Sequence, residues 1–165
     1  MGEHICFRRN ERLATVNPHW RGNPVVRGKF VNRQHRFRPG MGSVLKWRLS
    51  PNPQRKEKKS VKWSPKLNYL RSLDGVVGNS LIWLGHNSFF LQLARKRIMF
   101  DPVFGDIPFV KRQSDFPANP DIFTDIDYLL ISHDHFDHLD KQSVARLVKN
   151  NPGMKLFCGL GTGEL

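Results

Sequence analysis

The six residues 133–138, His-Asp-His-Phe-Asp-His, constrain this chain more than any other feature. They follow residues 126–131, a nearly continuous apolar run typical of a strand buried on both faces. In an extended segment alternate residues face the same side, so His133, His135 and Asp137 are expected to share one pocket. The last histidine joins them if the chain turns there. Imidazole and carboxylate ligands suit Zn²⁺, and sheets of mixed α/β proteins place sites at such strand ends, so a metal site is predicted rather than a solvated turn.

Short strands and one helix are predicted on either side of this segment. Asp140 is the expected N-cap of a helix over residues 141–149, and residues 105–120, with three prolines, are expected to form a long loop. The predicted strands cover residues 80–84, 89–93, 98–100, 126–131 and 154–158. This succession of elements indicates an α/β fold class.

The formal net charge of +13 is concentrated in the first half of the chain. Residues 1–75 carry 18 Lys and Arg against 4 Asp and Glu, whereas residues 76–165 carry 9 against 10. A basic half with interleaved aromatic residues supports one alternative function, the binding of nucleic acid or of an anionic membrane surface. Nucleic acid is the weaker of these two partners because the sequence contains no recognised binding motif.

Residues 8–65 show no sustained apolar period, which predicts an extended basic N-terminal arm. Within it, residues 54–60 lack apolar side chains and are expected to form a solvated loop. Large rings gain nothing from solvent, so Trp20 and Trp47 favour an arm that is packed rather than mobile.

The motif His133-x-His135-x-Asp137-His138 resembles the His-x-His-x-Asp-His signature of metallo-β-lactamase-fold hydrolases. Further segments resemble one subgroup, which contains the N-acyl-phosphatidylethanolamine phospholipase D-like and the ascorbate-phosphate lactonase-like proteins. These segments cover residues 83–88, 100–104 and 130–133, and residues 28–32 and 44–48 are similar to the N-terminal arm of the phospholipase D-like members.

The resemblance implies a site with two zinc ions. His133 and His135 would bind one ion, and Asp137 and His138 would bind the second. It also implies a catalytic role for Asp137 as an acceptor that orients the metal-bound hydroxide. A divalent ion lowers the pKa of bound water to about 7, which supplies a nucleophile at neutral pH.

Two further residues are expected near this site. Asp101 ends a strand before Pro102, and it either accepts an imidazole N–H from a metal ligand or is a turn aspartate. His86 lies in a Gly-His-Asn-Ser turn, and it either lines the edge of the active-site cleft or is structural.

The family completes its site with two more histidines and a bridging aspartate from the second half of the fold. After His138 the sequence has no histidine, and its later acids are Asp140 and Glu164. The expectation is therefore the first half of an αββα sandwich over residues 76–165, ending mid-domain after the arm at residues 1–75. Such a truncated chain is expected to be inactive alone.

The expected function is that of a zinc-dependent metallo-hydrolase acting on a phosphodiester, with N-acyl phospholipids and other small molecules as candidate substrates. A lactonase of the same fold is the alternative enzyme. Cys6 and Cys158 make no disulfide framework, and the first residues lack an apolar signal segment. The expected location is the cytoplasm, peripheral to a membrane where the basic arm meets an anionic surface.

Overall fold

The structure is a computed structural model that divides into two compact units, Met1–Lys62 and Trp63–Leu165. It describes residues 4–12, 17–32, 40–62, 65–108, 112 and 114–164. The boundary near residue 75 between an arm and an α/β domain stays a prediction. In the described parts of the chain, none of the helices combines the length and apolar character needed to cross a bilayer.

The first unit contains a small antiparallel sheet. Its strands are β1 (Cys6–Arg8), β2 (Asn23–Val26) and β3 (Lys29–Phe30), with β2 in the centre. Arg27 and Gly28 join the last two strands with φ angles of +50° and +76°. Positive φ at both central residues matches the twist of a two-residue hairpin, so this glycine allows the tight turn.

Two exposed helices follow in the first unit, α1 (Met41–Leu49) and α2 (Arg55–Ser60), and neither has a buried residue. The prediction of a loop over residues 54–60 is wrong, because Lys, Arg and Glu favour helix even where no apolar face is buried. The same segment is solvated, as expected. Trp20 is half-buried, but Trp47 is 78% exposed, so the expected packing is wrong for that ring.

The second unit is built on a five-stranded sheet in which the strands are neighbours in chain order. The first three strands form an antiparallel meander, and the last two join it in parallel. The strands are β4 (Ser80–Gly85), β5 (Ser88–Leu93), β6 (Lys96–Phe100), β7 (Tyr128–Leu130) and β8 (Lys155–Phe157). All five predicted strands are present, with ends shifted by up to two residues, and the α/β class is confirmed.

The core of this unit lies between the sheet, the loop before β7 and the helix α3 (Lys141–Asn150). Phe90 of β5 and Leu147 of α3 are almost fully buried, and Phe90 lies 6.0 Å from the ring of Phe123. Burial of each such side chain stabilises the fold by roughly 1.5–3 kcal/mol. The predicted N-cap is confirmed, since the Asp140 carboxylate accepts hydrogen bonds from the first turn of α3.

The described part of the predicted loop, residues 105–120, contains isolated β-bridge residues at Ile107 and Ala118 and the start of a 3₁₀ turn, Pro120–Ile122. Residues 109–111 and 113 of that prediction lie outside the described residues. Asn119 caps the 3₁₀ turn by accepting the Asp121 N–H.

Three parallel strands end at the same level of the sheet. Phe100, Leu130 and Phe157 are in register, and the Asp101 N–H donates to the Leu130 carbonyl over 3.0 Å. Leu129 is fully buried, whereas Leu130 is half-buried, so the prediction of a strand covered on both faces is only half right. This register places Asp101 beside the first residues after β7.

Candidate metal centre

The histidine segment is a bend and a turn, not an extended strand. The backbone bends at residues 134–135, and the N–H groups of His138 and Leu139 both donate to the His135 carbonyl, over 2.9 and 2.8 Å. Strand alternation is therefore the wrong reason for expecting these side chains to meet. The predicted turn at His138 is present, and it directs that ring back towards the sheet.

The Asp101 carboxylate holds Ser132 and His138 of the cluster in place. Its side chain is 10% exposed, and its carboxylate accepts the Ser132 N–H over 2.7 Å and the Ser132 hydroxyl over 2.8 Å. The same carboxylate lies 2.8 Å from His138 Nδ1. Asp101 thus contacts an imidazole, which is one of the two interpretations that the sequence allowed.

The backbone at Asp101 is held in an unusual conformation. Its φ angle is +42°, a left-handed conformation that aspartate tolerates better than most residues. The hydroxyl of the fully buried Ser88 donates to the Asp101 carbonyl over 2.7 Å and accepts the Val103 N–H over 2.9 Å. Ser88 therefore fixes the backbone that aims the carboxylate at the histidines.

The contacts of His138 define which of its nitrogens carries the proton. A carboxylate only accepts, so Nδ1–H donates to Asp101 and Nε2 keeps a free lone pair. The side-chain amide of Asn87 points its nitrogen at this lone pair over 3.0 Å and at Asp137 Oδ2 over 2.9 Å. Asp137 Oδ2 and His138 Nε2 are 3.5 Å apart; of the two facing pairs of donor atoms in the cluster, they form the second pair.

His133 and His135 form the first pair. Nε2 of His133 lies 2.9 Å from Nδ1 of His135, and the ring centroids are 4.6 Å apart. The Ser132 hydroxyl, whose hydrogen goes to Asp101, accepts from His133 Nδ1 over 2.9 Å. His133 Nε2 is then the acceptor, and His135 Nδ1–H donates to it. The rings of His133 and His138 lie 4.0 Å apart, so the two pairs adjoin.

His86 adopts a φ angle of +48°, and its Nε2 is buried with no hydrogen-bond partner among the described residues. Burial lowers the pKa of His86, and the positive charge of Arg112 lowers it further. The Arg112 guanidinium donates to the Leu84 carbonyl over 2.6 Å and to the Val103 carbonyl over 3.1 Å. It also fills the space where a Cβ on Gly85 would lie. The place of His86 at a cleft edge stays a prediction.

As the structure stands, the described residues include no group of three His, Cys, Asp or Glu side chains arranged around one point as ion ligands. The donor chemistry nevertheless fits a divalent ion. Adjacent ligands of a tetrahedral zinc ion with bonds of 2.0–2.1 Å lie about 3.3 Å apart. The two donor atoms within each pair lie 2.9 Å apart in the first pair and 3.5 Å apart in the second, which is within a few tenths of an ångström of this spacing.

Sequence reasoning missed three residues that organise this cluster, namely Asn87, Ser88 and Ser132. Asn87 and Ser88 lie in the same turn as His86, and Ser132 directly precedes His133. Their proximity to predicted site residues was the available signal. Their hydrogen bonds depend on the register of β6 and β7, which the sequence does not show.

Comparison with known proteins relates this segment to metal-dependent hydrolases. Residues 80–154 match the model of the beta-lactamase superfamily domain. The N-acyl-phosphatidylethanolamine-hydrolyzing phospholipase D 1 of Caenorhabditis elegans is 29% identical over 154 residues, which cover 84% of this chain and 43% of that protein. A metal-dependent hydrolase of Sulfolobus acidocaldarius is 36% identical over 78 residues, covering 47% of this chain and 31% of that protein.

A solved structure, of a metal-dependent hydrolase from Parabacteroides distasonis, covers 60% of this chain and 39% of that chain. The two structures align with a TM-score of 0.40 and 20% sequence identity. The chain thus spans less than half of the length of these relatives. The sequence-based recognition is confirmed to this extent: residues 80–154 match the beta-lactamase superfamily domain, within a mixed α/β chain that is similar to metal-dependent hydrolases.

Proposed function

We propose that this chain carries the metal-binding segment of a zinc-dependent hydrolase that cleaves phosphodiesters, with N-acyl phospholipids as the leading substrate class. In this proposal His133 and His135 hold one zinc ion, and Asp137 and His138 hold the second. The observation that carries it is the pairing of donor atoms, 2.9 Å apart in the first pair and 3.5 Å in the second.

The hydrogen-bond network supports the assignment of each ring nitrogen. Asp101 and Ser132 take up the Nδ1–H groups of His138 and His133, so both rings direct an Nε2 lone pair into the cluster. A partner on the second nitrogen fixes the tautomer of a metal-binding histidine and raises its basicity as a ligand. Asp101 and Ser132 would therefore act as positioning residues.

A bound zinc ion would lower the pKa of water and polarise a phosphoryl oxygen. The chain itself supplies the orientation of the ligands and a carboxylate, that of Asp137, which is 42% exposed and so accessible to substrate. We assign Asp137 the further role of a hydrogen-bond acceptor that orients the attacking hydroxide. A lactone carbonyl could be attacked by the same arrangement, so a lactonase remains the alternative.

Zinc binding by the 165-residue chain tests the first part of the proposal. In calorimetric and NMR titrations with Zn²⁺, H133A and H135A should each abolish loading of the first pair, and D137N and H138A that of the second. H19A, which removes an exposed histidine of the first unit, is the matched control and should leave both unchanged. A wild-type chain without zinc uptake at either pair would remove the basis of the proposal.

Turnover tests the substrate class. The 165-residue chain, which spans 43% of its phospholipase D relative, is expected to be inactive alone, so any longer product of the same gene is assayed beside it. The substrates are an N-acyl phospholipid in neutral and in anionic vesicles, a generic phosphodiester and a lactone. Zinc-dependent cleavage of the lactone alone would replace the phosphodiesterase with the lactonase. Faster cleavage in anionic vesicles is expected because of the basic first half.

A further inference from the structure

The Asn87 side chain lies where the second pair of donor atoms converges. Its Nδ2 is 2.9 Å from Asp137 Oδ2 and 3.0 Å from His138 Nε2, two atoms that are themselves 3.5 Å apart. It also lies 3.5 Å from the Asp137 carbonyl. One amide nitrogen therefore satisfies the acceptors that the proposed function assigns to the second ion.

The contact with His138 excludes simultaneous binding of an ion. The Nδ1–H of that ring is committed to Asp101, so Nε2 offers one lone pair in the plane of the ring. That lone pair accepts the Asn87 N–H in this structure, and a metal ion needs the same lone pair. The amide has to leave before His138 coordinates an ion.

The two pairs differ in what an ion has to displace. In the second pair the amide donates to a carboxylate, and hydrogen bonds to an ionised acceptor are roughly twice as strong as neutral ones. In the first pair, the ion displaces one hydrogen bond, between the rings of His133 and His135. His135 is exposed, so its displaced N–H is readily satisfied by water.

We propose that Asn87 is a built-in competitor for the second metal ion, which makes the first pair fill before the second. This inference rests on the proposed function, because it concerns the affinity and order of filling of the same two pairs. Asn87 acts through Asp137 and His138 and is therefore a positioning residue. The Asn87 amide keeps zinc from binding to the Asp137 carboxylate and the His138 imidazole at low zinc concentration.

The test compares zinc binding by the wild-type chain with that of N87A and N87G, both of which lack the amide donor. NMR titration with Zn²⁺ alone resolves each pair through its histidine ring nitrogens and measures weak sites. We expect the affinity of the second pair to rise at least about tenfold in both variants, with the first pair unchanged. N68A, which truncates an exposed asparagine in the same unit, is the control and should match the wild type.

A readout on the wild-type chain separates competition from a merely structural role. The Asn87 side-chain N–H resonances should lose their hydrogen-bonded shifts at the zinc concentration at which His138 Nε2 shifts, and not before. Amide resonances that stay hydrogen-bonded while His138 binds zinc would overturn the inference.

The outcomes distinguish this inference from the proposed function. If the wild type loads zinc at the first pair but N87A and N87G leave the second affinity unchanged or weaker, the competitor role is wrong and the metal site stands. If neither the wild type nor the variants load zinc at either pair, both proposals fall. Circular dichroism and thermal unfolding establish that each variant is folded, and two variants guard against the misfolding of one.

Discussion

The two facing pairs of donor atoms differ in how firmly the fold holds them. His138 is 19% exposed and bonds directly to Asp101, a buried carboxylate fixed in turn by Ser88 and Ser132. His135 is exposed, and its ring contacts another member of the cluster, His133. The second pair, Asp137 and His138, is therefore anchored to the sheet through Asp101. The first pair, His133 and His135, is anchored through the Ser132 hydroxyl.

This difference indicates a division of roles within six residues of sequence. A pair that is anchored keeps its geometry without an ion, and its affinity depends on what competes with the ion. A pair that is loosely held pays an ordering cost when the ion binds. Substitutions at the anchors should therefore separate the two pairs.

The largest expected effect is at Asp101. D101N preserves the shape of the side chain and tolerates the φ angle of +42°, but it turns an acceptor of three hydrogen bonds into a partial donor. We expect the free energy of unfolding to fall by roughly 2–3 kcal/mol, because buried donors lose their acceptor. Zinc affinity of the second pair should fall roughly ten- to a hundredfold, and that of the first pair less. Chemical denaturation and zinc titration measure both.

D125N is the matched control for that variant. Asp125 also has a positive φ angle, +54°, but its side chain is 87% exposed and lies 3.5 Å from Arg97. Exposed ion pairs contribute little to stability, so the change should stay below about 0.5 kcal/mol. A loss in D125N as large as that in D101N would contradict the expected role of the buried Asp101 carboxylate.

A smaller effect, mainly on the zinc affinity of the first pair, is expected at Ser132. S132A removes the hydroxyl that accepts from His133 Nδ1, so the affinity of the first pair for zinc should fall roughly tenfold. The second pair should change less, because Asp101 still contacts His138 directly. S72A, which removes an exposed hydroxyl that donates to Asp74, is the control in the same titration. A larger loss at the second pair than at the first would contradict the division of roles.

The smallest effect concerns His86, beside the anchored pair. Burial and Arg112 lower its pKa below the ordinary value of 6.5 in the folded chain. As the pH falls below that value, the unfolded chain binds a proton that the folded chain does not, so stability present at higher pH is lost. H86N should flatten the fall in the free energy of unfolding between about pH 7.5 and 5.5, by less than about 1 kcal/mol. H19N, at an exposed histidine, should leave the pH profile unchanged.

The sequence predicted the sheet of the second unit well because its apolar runs are short and bounded by turn residues. It also predicted Asp140 as a helix cap, since the aspartate precedes a helix of amphipathic period. It missed α2, because a helix with no buried face has no apolar period to detect.

The sequence identified most residues of the candidate site, but it did not show the contacts that bring them together. The histidines and Asp137 are recognisable from their spacing, and Asp101 from its place before a proline. Asn87 could not be found in this way, because its contact with Asp137 joins residues 50 positions apart in the chain. Such a contact follows from the register of a sheet, and register is a property of the folded chain.

The parallel pairing of β6 and β7 also has a consequence for folding. His138 and Asp101 are separated by 37 positions in the chain, so their hydrogen bond closes a long loop at an entropic cost. Contacts between distant positions form late relative to local hairpins such as the one joining β5 and β6. The hydrogen bond between His138 and Asp101 therefore forms only after β7 has docked on β6. Its formation marks the completion of this part of the sheet.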